Sequence, residues 1–184
     1  MKNSTMFLIG FAVLLFFYGG CKYNGMVKTD EGVKQKWGNV QTQYQRRADL
    51  IPNLIETVKG YVTHEKTVLE EVTKARTAMM SATTTQDKLK ADEGLQGALK
   101  TLFAVSEAYP DLKANQNFMQ LQQELTDTED KVSYSRQFFN TGVLEYNNQV
   151  QSFPSNLIAG QFGFKPYEYF EAKPEEREVV QVKF

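Results

Sequence analysis

A proline stands inside a strongly helical pattern. Residues 44–61 read Tyr-Gln-Arg-Arg-Ala-Asp-Leu-Ile-Pro-Asn-Leu-Ile-Glu-Thr-Val-Lys-Gly-Tyr. Pro52 has no backbone N–H and its ring crowds the carbonyl four residues back, so Ala48 loses its helical donor. Two architectures accommodate this. In one, a single long helix bends at Pro52, because Val33, Trp37, Val40, Tyr44, Ile51, Leu54, Val58, Tyr61, Val68 and Val72 keep a spacing of three and four across it, with Arg47 and Glu65 out of character. In the other, Arg46–Asp49 form a corner. Asp49 then caps a new helix by accepting from its first N–H groups, and Pro52 falls where no donor is required. A continuous helix from Glu31 to Met80 would run roughly 75 Å at 1.5 Å per residue, longer than the helices after it can cover. Length favours the corner, with Asp49 and Pro52 as the structural pivot, since a buried stripe needs a partner. The adjacent Arg46 and Arg47 read as helix-end groups that satisfy carbonyls and pair with Asp49 or with the acids of another helix, in preference to an anion site.

Composition narrows the chemistry. With 21 basic against 22 acidic side chains among 184 residues, the net charge of −1 argues against nucleic acid as principal partner. One cysteine and one histidine leave no material for disulfide frameworks, zinc clusters or Cys/His catalytic pairs of the usual kind within one chain. A ferritin-like di-metal bundle needs Glu-x-x-His on two helices, and His64 has Tyr61 three residues before it. His64 beside Glu65 reads as a surface or boundary pair, not a proton relay. No cofactor and no metal are expected.

Residues 1–22 read as a membrane anchor. Met6–Tyr18 is apolar apart from Gly10, followed by Gly19, Gly20, Cys21 and Lys22. The run is a little short of the roughly 20 residues of a spanning helix and long for the core of a signal peptide. As a lipoprotein signal it makes Cys21 the site of acylation and puts the remaining chain outside the cytoplasm, although Tyr18 departs from the small or aliphatic residue usual three before such a cysteine. As an uncleaved helix it is followed by Lys22, Lys28, Lys34 and Lys36 against Lys2 alone before it, which keeps the following domain in the cytoplasm. A helix-end cysteine without chemistry is the plain alternative for Cys21.

Residues 23–184 read as one helical domain. Bundle helices are expected over Glu31–Arg47, from Asp49 or Leu50 to Met80 with Gly60 marking a close helix approach, over Asp87–Ala108, and from Asn115 or Asn117 to Phe153. The last has Phe118, Leu121, Leu125, Thr128, Val132, Ser135, Phe139, Val143, Tyr146, Val150 and Phe153 in register. Pro110 closes the third helix, Leu112 packs down in the turn after it, and Ser155 caps a short helix through Gln161. The acids Glu124, Asp127, Glu129 and Asp130 read as a solvated face. Phe162, Phe164, Tyr167, Tyr169 and Phe170 form either a lid on the bundle or a docking surface for a partner. The tail Lys173–Phe184 is expected to be extended, lying along the bundle or pairing with a partner strand.

Several segments resemble one family. Residues 44–61, Tyr23-Asn24-Gly25-Met26-Val27, Ala108-Tyr109-Pro110-Asp111-Leu112-Lys113-Ala114-Asn115, Phe153-Pro154-Ser155-Asn156-Leu157 and Phe162-Gly163-Phe164-Lys165-Pro166 are similar to the landmarks of the LemA family, in order, over almost everything from Tyr23 to Phe184. The resemblance implies a membrane-associated bacterial protein with a short N-terminal membrane segment and a helical bundle. It brings no catalytic residues to carry over.

The expectation is an all-α, up-and-down four-helix bundle with long helices behind an N-terminal hydrophobic membrane anchor. Its expected role is that of a non-enzymatic scaffold or interaction module at the bacterial envelope, with the membrane and a protein as partners. A membrane-remodelling or envelope-stress component is the alternative. A hydrolase using Glu65 or Asp49 ranks below both, because filled bundles seldom hold paired carboxylates in a cleft.

Overall fold

The computed structural model describes residues 2–62 and 65–171. The expectations for His64 and for the tail Lys173–Phe184 lie outside the described residues. Among these residues there are six helices and no strand: α1 (Lys2–Lys59), α2 (Lys66–Ser81), α3 (Thr85–Ser106), α4 (Pro110–Lys113), α5 (Gln116–Gln151) and α6 (Ser155–Phe162).

The corner at Arg46–Asp49 is not formed. Helix α1 continues through Pro52, which lies on its exposed side. The carbonyl of Ala48, deprived of its donor by the proline, accepts instead from Arg76 Nε of α2 at 2.9 Å. A neighbouring helix thus supplies the hydrogen bond that the proline removes. Asp49 caps nothing; it is exposed and accepts from Gln45 Nε2 at 2.7 Å.

The break comes later, at Gly60. There the N–H groups of Tyr61 and Val62 both return to the carbonyl of Val58, at 2.9 and 3.1 Å. The run Gly-Tyr-Val-Thr-His has low helix propensity throughout, which favours termination here. Gly60 does not mark a helix approach: the one neighbour an added Cβ would meet within 4 Å is Thr57 O at 3.7 Å, an ordinary contact. The stripe also changes at this point, since Val62 is buried and Tyr61 exposed.

The remaining helix ends follow local chemistry. Thr84 caps α3, accepting from Asp87 N at 3.0 Å and donating to its carboxylate at 2.8 Å. Asn115, not Asn117, caps α5 by accepting from Phe118 N at 3.1 Å. Pro110 starts α4 in the position where no donor is needed, and Leu112 behind it is fully buried. Ser155 does not cap α6 by accepting; its hydroxyl donates back toward the carbonyls of Gln149 and Ser152. Gly163 closes α6 with φ +76°, a left-handed conformation that glycine adopts without strain.

The chain forms two compact units, Met1–Asn39 with Gln137–Glu168, and Val40–Arg136 with Tyr169–Phe184. In the first, the start of α1 lies antiparallel to the end of α5. Trp37 meets Phe139 with ring centres 5.5 Å apart, Thr29 bonds Gln149 at 3.2 Å, and Tyr23 meets Phe162 at 4.9 Å. Met26, Val33, Val143, Tyr146 and Val150 are buried in this unit. The α5 stripe ends at Val150; Phe153, expected to continue it, is 81% exposed.

In the second unit the end of α1, all of α2 and α3, and the start of α5 close a core of Ile51, Leu54, Val72, Met79, Leu95, Leu102, Phe118 and Leu125. Phe103 of α3 meets Phe118 of α5 edge-on at 6.1 Å, and Asn115 Nδ2 donates to Tyr61 OH at 2.8 Å.

Among the described residues no helix is long and apolar enough to cross a membrane. The expected spanning helix is not met because the apolar stretch of α1, broken by Gly10, Gly19 and Gly20, reaches Lys22 short of the roughly 20 residues a bilayer core requires. Within it, Met6, Ile9, Val13, Leu14, Phe16 and Phe17 are exposed.

Candidate functional site

The strongest concentration of buried charge lies in the second unit, where α1, α3 and α5 converge. Arg47 takes a core position on α1 and is 1% exposed. Its Nη1 donates to Asp92 Oδ1 of α3 at 2.7 Å, and its Nη2 lies 3.5 Å from Glu129 Oε2 of α5. Arg136 Nη1 approaches the other oxygen of Asp92 at 3.5 Å, and Gln96 Nε2 donates to Glu129 Oε1. Two positive and two negative groups are thus set against one another across three helices. Burial pushes the Asp92 carboxyl above the usual carboxylate range, against the opposing pull of Arg47 and Arg136.

One turn away, Lys88 Nζ donates to the carbonyl of Met79 at 2.7 Å and lies over the ring of Tyr44 at 5.8 Å. Burial lowers the Lys88 pKa and raises that of the Tyr44 phenol.

A cleft of about 550 Å³ opens beside the cluster, lined by Arg47, Gln96, Lys100, Phe103, Leu125 and Glu129 among others. Asp92 is held by the two arginines, and Glu129 by Arg47 and Gln96. Of the four acids grouped on α5, Glu129 alone joins the cluster. Glu124 and Asp127 accept from Gln120 and Gln123 on their own helix, and Asp130 is exposed. Among the described residues no three His, Cys, Asp or Glu side chains are grouped to hold a metal ion.

Arg47 pairs with acids of other helices, one of the two kinds of partner expected for it, but from the middle of α1 and not from a helix end. Asp92, Glu129 and Arg136 are not evident from the sequence taken one helix at a time. The usable signal is that the α3 stripe Leu95, Leu99, Leu102, followed backwards, lands on Asp92 and Lys88. Opposite charges out of character on two helices are candidates for each other.

The aromatic residues after α5 have unequal settings. Phe162 is exposed, Phe164 half-buried, and both rings lie against Tyr23, at 4.9 and 5.6 Å. Tyr167 is tied down from three directions. Its N–H donates to Asn147 Oδ1, its carbonyl accepts from Asn147 Nδ2, and its hydroxyl donates to Asp30 Oδ1, each at 2.9 Å. Burial and the Asp30 hydrogen bond push its phenol up to about 12. In the second unit Tyr169 is exposed, its carbonyl 3.5 Å from Gln86 Nε2, while Phe170 is buried. Cys21 is exposed and helps to line a hollow of about 430 Å³ with Tyr18, Lys22, Phe153 and Pro154.

Comparison with known proteins adds a family. Magnetosome protein MamQ 1 of Paramagnetospirillum magneticum is 25% identical over 200 residues, a match spanning 95% of this chain and 72% of the relative. Magnetosome protein MamQ of Magnetospirillum gryphiswaldense is 25% identical over 197 residues, 93% of this chain and 71% of the relative. Protein LemA of Metamycoplasma hominis is 24% identical over 175 residues, 93% of this chain and 78% of the relative. The LemA family profile matches residues 36–184, which include α1 from Lys36 onward, α2 to α6 and the Arg47 cluster. On that match the chain belongs to the LemA family.

Proposed function

We propose that the protein is a membrane-associated interaction module of the bacterial envelope, a helical bundle that holds a partner and performs no chemistry of its own. The Arg47 cluster carries this reading. Its charges engage one another across three helices, which braces the bundle and gives both of its carboxylates structural partners. The exposed apolar side chains at the start of α1 support membrane association, as does likeness to proteins described as magnetosome proteins. The residues before Tyr23 serve as the anchor in this reading, either embedded directly or through acylation of Cys21. Tyr169, exposed on the second unit, is the aromatic through which a protein partner is held.

The reading is tested by placing a photo-cross-linking amino acid at position 169 of the full chain and irradiating bacterial membranes. The expected result is a discrete protein adduct, still formed when Arg47→Met and Asp92→Leu are introduced together. A folded double variant that loses the adduct would assign partner binding or chemistry to the charged cluster and overturn the proposal.

A further inference from the structure

Phe153, Leu157 and Phe162 are 81%, 65% and 62% exposed, and all three lie within or just before α6. Helix α6 has the sequence Ser-Asn-Leu-Ile-Ala-Gly-Gln-Phe, with no charged side chain. Ser155 and Ala159 face inward and Leu157 projects from the opposite side of a helix without charges, while Phe162, at its exposed C-terminal end on the Ser155 side, lies against Tyr23. A surface helix facing water ordinarily places charged and polar groups there.

Packing within the first unit fixes the position of this apolar face along α1. Phe162 rests on Tyr23 at 4.9 Å, and Phe153 lines a hollow whose opposite wall is Tyr18, Cys21, Lys22, Gly25 and Met26. Helix α6 is therefore held beside residues 18–26, immediately after the exposed apolar Val13, Leu14, Phe16 and Phe17. The step from Tyr18 to Tyr23 is roughly 7.5 Å along the helix axis. That matches the depth of about 5–10 Å at which amphipathic helices lie in the headgroup layer. Tyr18 and Tyr23 stand where aromatic belts occur, and Lys22, which lines the same hollow, and Lys165, just past the end of α6, are exposed with the charge to meet anionic lipid.

We propose that α6, entered through Phe153, is a second membrane contact. It lies in the headgroup layer of an anionic bilayer, beside the point where α1 leaves the apolar core. The proposal rests on the reading that the start of α1 is embedded in a membrane. Its occupant is lipid because the apolar face is continuous with the exposed apolar stretch of α1 and bordered by lysines.

The test uses the full chain in vesicles of phosphatidylcholine and phosphatidylglycerol brominated near the headgroup. A single tryptophan is placed at Val13, Leu157 or Leu144 in a Trp37→Phe background, and lipid quenching is compared with quenching by aqueous acrylamide. Leu144 is an exposed control on α5 in the same unit. The expected result is loss of most emission to brominated lipid at 13 and 157 and none at 144. Lipid quenching at 13 with acrylamide quenching alone at 157 would overturn the α6 contact and leave the membrane reading standing. No lipid quenching at 13 would overturn both. Shielding of 157 from lipid and acrylamide alike would give the face to a protein and also overturn the proposal. Should Trp37→Phe disturb the helical circular dichroism, a nitroxide at 157 in a Cys21→Ser chain reports the same accessibilities with Trp37 intact.

Discussion

Arg47 occupies a stripe position that its neighbours' spacing reserves for an apolar side chain, and its guanidinium is balanced by Asp92 and Glu129. Removing one partner of such a pair strands the other. Arg47→Met should lower unfolding stability by about 3–5 kcal/mol in urea melts, and Arg47→Met with Asp92→Leu should recover most of that loss. The sequence marks Arg47 as out of place and offers Asp49 or the acids of another helix as its partners. It does not choose Asp92, because that choice depends on how α1 and α3 are set against each other. Tyr167 is less legible still. It reads as one aromatic of a cluster, yet Asn147, Asp30 and Tyr146, all remote in sequence, decide its setting. Its folded pKa of about 12 is above the ordinary value of about 10. Its contribution to stability is therefore complete below pH about 10 and is lost as pH rises toward 12. Tyrosinate absorbance, taken as the difference between wild type and Tyr167→Phe, should show this late titration, and Asp30→Asn should move it down. Nor does the sequence distinguish Phe162 and Tyr169, which are exposed, from Phe170, which is buried, because aromatic composition is the same whether a ring faces the core or the solvent.

Helix α1 passes through Pro52 because α2 completes its hydrogen bonding. Arg76→Met should therefore cost about 1–3 kcal/mol when Pro52 is present, since it leaves the buried Ala48 carbonyl without a donor. In a Pro52→Ala chain, where residue 52 again supplies an N–H, the same change should cost less, with a coupling of about 1 kcal/mol in the double-mutant cycle. Additive costs would show that the Arg76 bond has no part in accommodating the proline. The apolar spacing of three and four across residue 52 correctly joins the segments on either side. The bond that lets them join runs from a side chain to the backbone of another helix and leaves no periodic trace. Conversely the spacing runs on through Gly60, where the helix ends, because Val62 takes the buried place that the pattern gives to Tyr61. Caps are read more directly: Asn115 is a polar side chain just ahead of an apolar run, and it accepts the N–H of Phe118.

For the chain taken entire, the all-helical class and the long amphipathic segments are legible because burial stripes repeat along tens of residues. The division into two units is not legible, since α1 and α5 both run from one unit into the other without a break in pattern. The apolar run ahead of Cys21 is legible as such, yet its length falls between the classes that sequence separates, so attachment to a membrane does not follow from it.

The proposed role depends on position at a membrane, and fractionation of bacterial cells tests that directly when the full chain is compared with one that begins at Tyr23. The full chain should stay with carbonate-washed membranes, while the shortened chain is released with its helical circular dichroism intact. Recovery of the full chain in the soluble fraction would contradict a membrane-based role.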